Sequence, residues 1–162
     1  MSNWKQELAE AVTPLEGVND VKASLIFEIT VQGDAFSPVP SPDGTVRIFR
    51  TVQVKGLKEV DARLVDGKNY TAEDFVTEIS FLKYLEARKP LPNDPPIINN
   101  GVEVTLSDMR PMGENYGIRP VEDKLSIAGQ EWNICEVMAL GMMNDDTTGE
   151  PVPAKLRLIL RK

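Results

Sequence analysis

Histidine is absent from this chain of 162 residues. With it goes the one side chain that titrates near neutrality unaided, so a general base would have to be a carboxylate or a lysine shifted far from its ordinary pKa. Ser–His and Cys–His nucleophiles are excluded, as are histidine-containing zinc sites. Cysteine occurs once, at Cys135, which rules out an intrachain disulfide and a thiolate metal cluster. Between Ile134 and Glu136 it reads as a small buried residue of a strand. Aromatics are only 6 % of the residues, so the core has to rest on Val, Ile and Leu with a few aromatic anchors. No apolar run approaches the ~20 residues of a membrane-spanning helix, and no glycine pattern of the phosphate-cradling kind is present. The polar, acidic opening residues 1–7 lack a basic-then-apolar export pattern, so a cytoplasmic protein is expected.

What is present is ordinary for a folded domain. Hydrophobic residues make up 41 % and charged residues 27 %, enough apolar content to bury a core, and the length suits one domain over 1–162. Eighteen basic residues against twenty-five acidic ones give a formal charge of −7. Such a chain gains nothing from counterion release on a phosphate backbone, so sequence-specific nucleic-acid binding is disfavoured. Negative charge does suit a protein that surrounds nucleic acid without gripping it.

Residues 1–17 form an N-terminal helical segment, with Trp4, Leu8, Ala11 and Val12 at helical spacing before Pro14 and Gly17. A β-rich body follows over 18–162. Residues 21–32 alternate with period two, placing Ala23, Leu25, Phe27, Ile29 and Val31 on one face. A loop at 33–45 holds three prolines. The next strand, 46–55, has Arg50 breaking its apolar face, which suggests a strand near a sheet edge, and a third is expected near 59–65. Residues 72–88 predict the one substantial helix: Thr71 with Asp74 suits a capping box, and Phe75, Val76, Ile79, Leu82 and Leu85 form a stripe. Four prolines make 89–101 a stiff connector. A short strand at 102–106 and an irregular stretch at 107–122 lead to three strands, 123–127, 132–140 and 154–161, in a meander. The expected fold is α+β and mainly β, a partly closed barrel or sandwich of about six to eight strands with long loops.

Residues 144–150 place oxygen side chains at the first, third and fifth positions of a calcium loop, with Gly149 sixth. Lys155 stands where a bidentate Glu is needed, so a solvated hairpin loop is favoured and no metal site is assigned. The carboxylate pairs Glu7/Glu10 and Glu73-Asp74 suit helix starts and need no catalytic role. Lys155, Arg157, Arg161 and Lys162 alternate with leucines as the wet face of an edge strand would. Phe36 and Val39 in the first loop, and Met142 and Met143 in the last, are the candidate protein-interface residues: apolar groups in Pro- and Gly-rich loops have little local core to enter.

The run Asp123-Lys124-Leu125-Ser126-Ile127-Ala128-Gly129-Gln130-Glu131-Trp132-Asn133-Ile134, then a polar loop and a basic–apolar strand ending Leu160-Arg161, resembles the closing meander of head-completion and neck proteins of tailed bacteriophages. The likeness implies a stopper-like head–tail connector: a small β-barrel with long loops, copies of which form a ring between portal and tail. It implies as partners the portal or an adaptor, and a tail terminator or tail tube. It also implies assembly in the host cytoplasm followed by residence in the virion, with no cofactor, metal, catalytic residue or membrane involved. The long helix and the Pro-rich connector have no counterpart in that pattern. A small acidic inhibitor or immunity-type protein, binding an enzyme through its negative surface, is the alternative; an enzyme working through carboxylates alone is a third.

Overall fold

The computed structural model of the chain describes residues 20–34, 36, 43–56, 58–59 and 74–162. The N-terminal helical segment, Glu7, Glu10, Val39 and most of the expected third strand lie outside the described residues, and only its first part, Lys58–Glu59, is seen as a strand.

The architecture is α+β and mainly β. Its centre is a seven-stranded antiparallel sheet built from β1 (Asp20–Val31), β2 (Gly44–Lys55), β3 (Lys58–Glu59), β4 (Asp74–Ser80), β7 (Lys124–Ile127), β8 (Gln130–Leu140) and β11 (Lys155–Arg161), in the order β2-β1-β7-β8-β11-β4-β3. Two small hairpins project from it: β5 (Ile97–Asn99) with β6 (Val102–Val104), and β9 (Met143–Asn144) with β10 (Pro151–Val152). Among the described residues the helices are short, α1 (Phe81–Ala87) and α2 (Leu106–Met109), with one 3-10 turn over Glu114–Gly117. The sheet is not closed, but it curls: Thr77 of β4 donates to the Lys55 carbonyl of β2, near the sheet's other end.

Period two organises the first strand as its sequence dictates. Ala23, Leu25, Phe27, Ile29 and Val31 are all buried and join Ile48, Val52, Val54, Leu125, Trp132, Ile134, Leu156, Leu158 and Leu160 in one core. Each such side chain is worth about 1.5–3 kcal/mol when withdrawn from water, so the concave face of the sheet holds most of the fold's stabilisation. The β7–β8 hairpin turns on Ala128 and Gly129, with φ of 52° and 81°. Both central residues of a tight primed turn need that left-handed region, which glycine enters without cost.

The expected helix over 72–88 is not formed as such. Its first half, Asp74–Ser80, is strand β4, and only Phe81–Ala87 is helical. β4 lies between β3 and β11 and is covered on both faces, with Val76, Thr77, Glu78 and Ile79 all buried. A strand buried on both sides loses its alternation, and its apolar residues then coincide with helical spacing. Asp74 accordingly does not cap a helix but pairs with Arg161 (2.7 Å). α1 ends before Pro90, turns Phe81 and Tyr84 inward, and is tied to the sheet by the Phe81 N–H donating to Ala154 O (3.1 Å).

The wet edge strand expected near the end of the chain is also corrected. β11 is an interior strand, paired with β8 on one side and β4 on the other. Arg157 is fully buried, because Glu78 stands opposite it in register and binds it through Nε (3.0 Å) and Nη2 (2.6 Å). Lys155 adds a second cation at 3.0 Å from the same carboxylate. Buried charge is tolerated here because its counter-charge comes on the neighbouring strand.

The Pro-rich connector is not wholly extended: Ile97–Asn99 pairs with Val102–Val104 around Asn100 and Gly101. The stretch 107–122, expected to be irregular, is pinned by arginines. Arg110 is buried against Asp123 (2.5 Å) and also donates to Gly117 O and Glu28 O. Arg88 donates to the carbonyls of Arg110 and Tyr116. Asp123 in turn accepts from the backbone N–H groups of Glu28 (3.0 Å) and Arg119 (2.8 Å). These bonds hold Asn115 and Tyr116 at positive φ, a conformation that persists only where the surroundings over-determine it.

Candidate functional site

Phe36, Met142 and Met143 all lie on the surface. Phe36 is 98 % exposed, and the two methionines are 52 % and 57 % exposed. Aspartates on either side of Phe36 bond the backbone: the Phe36 N–H donates to Asp34 (2.9 Å) and the Gly33 N–H to Asp43 (2.5 Å).

Met142 immediately precedes the β9–β10 hairpin and Met143 opens its first strand. Its tip is organised by Asp145, whose Oδ1 accepts from the N–H groups of Thr147 (2.7 Å) and Thr148 (3.1 Å), while its backbone N–H reaches Glu150 O (2.8 Å). One oxygen of the first acidic residue in the calcium-like stretch is thus turned inward to the loop's own backbone. Among the described residues no group of three or more His, Cys, Asp or Glu side chains is placed to hold a metal ion. Cys135 is half-buried on β8, and burial pushes its thiol pKa up. No helix among the described residues is long and apolar enough to cross a membrane.

A second apolar surface is a groove of about 500 Å³ between β2 and α1, to which the apolar stripe read over 72–88 contributes Leu82 alone. Phe49, Leu82 and Leu91 stand exposed on its walls, and Val52 and Ala87 lie at its floor. They come from three separate stretches of sequence, so only the fold brings them together. One wall is fixed by Arg50, buried and forked onto Asp94, with Nη1–Oδ1 and Nη2–Oδ2 both at 2.5 Å. That guanidinium holds the Asp94 carboxyl below the usual carboxylate range, aided by the Leu91 N–H. The pair clamps the connector beside β2 and places Leu91 at the rim. β2 is indeed at a sheet end, but Arg50 is buried there by its acidic partner and does not reach solvent.

Exposed apolar side chains at Phe36, Met142 and Met143, and an apolar groove beside an edge strand, are surface features of the kind that suits contact with another protein. No protein-family model, no curated protein and no solved structure matches the chain.

Proposed function

We propose that this chain is a structural, non-enzymatic virion component of a tailed phage, built as a homo-oligomeric ring into the head–tail junction. The observation that carries the reading is the set of apolar side chains that the fold leaves on loops, Phe36, Met142 and Met143. A lone soluble chain gains nothing by presenting them, whereas each copy in a ring can cover those of its neighbour. The net charge of −7 supports the same reading, since an acidic ring repels the DNA phosphates it must let pass. The neighbouring partners would be the portal or an adaptor on one side and a tail terminator or tail tube on the other.

Native mass measurement and electron microscopy of the purified protein, alone and with portal and tail proteins, test this. The expected result is a ring, formed either spontaneously or on the template, and lost when residues 143–152 are replaced by a Gly-Ser turn that leaves the melting temperature unchanged. A chain that stays single and docks to neither template would overturn the reading and favour a monomeric acidic inhibitor.

A further inference from the structure

Resting on that assembly reading, we infer that Phe36 of one copy seats in the β2–α1 groove of the next. In its own chain Phe36 is almost wholly exposed, so it does not fill this groove. The groove offers it Phe49, Leu82 and Leu91 as walls, an apolar setting that a single aromatic anchor suits.

Charge selects the same match. Residues 33–45 carry Asp34 and Asp43 and no basic residue. At the groove, Arg50 is neutralised by Asp94 and Glu86 is matched by Lys89 (2.9 Å). Lys83 is left with a long contact of 3.4 Å to the Gln53 amide oxygen. An acidic loop therefore meets a rim on which, among the described residues, the charge without an ion-pair partner is the positive Lys83.

The backbone of β2 adds a further hold. The carbonyls of Phe49 and Lys55 accept from the Arg50 and Thr77 side chains. In an antiparallel strand that places the backbone groups of the intervening odd-numbered residues, Thr51 and Gln53, on the edge away from β1. Backbone groups of an incoming segment can bond to that edge. Loop and groove are different patches of one molecule, so their contact is head-to-tail, the kind that closes into a ring when the rotation allows.

The test uses two variants of the full chain, Phe36→Ser and Leu82→Asp. Both positions are exposed, so each variant keeps the wild-type circular dichroism and melting temperature. Under conditions where the wild type assembles, each variant alone stays monomeric, its self-association weakened at least about tenfold. Mixed in equal amounts they form a dimer and nothing larger, because only one intact loop and one intact groove remain to meet. Variants that assemble as the wild type does overturn the inference and leave the ring reading standing. So does a mixture that stays monomeric, or a disulfide between Phe36→Cys and Leu82→Cys (with Cys135→Ser) that closes within one chain. A wild type that remains single at every concentration, with or without the template, removes the reading beneath it.

Discussion

The guanidinium of Arg157 and the carboxylate of Glu78 meet across neighbouring strands, Nη2 to Oε2 2.6 Å apart, and neither side chain is more than 1 % exposed. Removing one member of such a pair leaves a buried charge without this counter-charge, which costs more than the pair itself contributes. Glu78→Leu should therefore destabilise the fold by about 3–5 kcal/mol. Adding Arg157→Leu should restore a large part of the loss. Urea denaturation of the single and double variants, read as a mutant cycle, checks both expectations.

Trp132 is buried on β8 with its ring 5.0 Å from that of Phe75, edge to face. Trp132→Ala removes the largest ring of the core where β4 and β8 approach from either side of β11, and should cost about 3–5 kcal/mol. An unchanged denaturation midpoint would mean that the ring is not packed in this way.

Gly117 has φ +84°, and a β-carbon there would lie 2.2 Å from Arg88 Nη1 and 2.8 Å from Arg110 O. Gly117→Ala should destabilise by about 2–3 kcal/mol, through backbone strain and displacement of the arginine. Gly113 has open space where its β-carbon would go, so Gly113→Ala serves as the near-neutral control. Thermal unfolding of the two variants side by side measures the difference.

The Arg50–Asp94 clamp sets an acid limit. Asp94 has a folded pKa below its ordinary value, held there chiefly by Arg50. Its contribution is complete above the unfolded carboxylate pKa of ~3.9 and is lost as pH falls from there through the lower folded value. Asp94→Asn should thus lower the melting temperature at pH 7, and its deficit against the wild type should shrink as the pH is taken below about 4. A deficit that stayed constant down to strong acid would show that the carboxylate's charge is not what matters.

Millimolar calcium should leave the melting temperature unchanged, because Lys155 stands where a bidentate Glu is needed and, among the described residues, no group of three or more His, Cys, Asp or Glu side chains is placed to hold a metal ion. An ion bound to the native state alone would raise it by mass action. A rise abolished by Asp146→Ala would mark a real site.

Some of this was legible in the residues. β1 and the β7–β8–β11 meander announce themselves, because a sheet with one covered face writes a period of two and its tight turns demand Ala128-Gly129 or Asn100-Gly101. The exposed loop residues Phe36, Met142 and Met143 were legible from their polar, Pro- and Gly-rich settings. β4 was not, since a strand covered on both faces carries no alternation, and Thr71 with Asp74 mimics a helix start. The burial of Arg157 was hidden for another reason: its partner Glu78 is 79 residues away, and no local pattern reports a pairing at that range. The groove is of the same kind, assembled from β2, α1 and the connector.

The position of β11 between β8 and β4 has a consequence for the order of synthesis. A ribosome delivers β4 early, beside β3, and β8 later, beside β7, but each lacks its neighbour on the other side until residues 155–161 emerge. Until then the nascent sheet is two fragments, with Glu78 and Asp74 facing open water where Arg157 and Arg161 will lie. The strand that joins the halves also brings the charges that make their burial tolerable. Cooperative folding should therefore be a late and comparatively slow event, limited by closure over long stretches of chain, and a nascent chain halted before residue 155 should present two unpaired strand edges to chaperones.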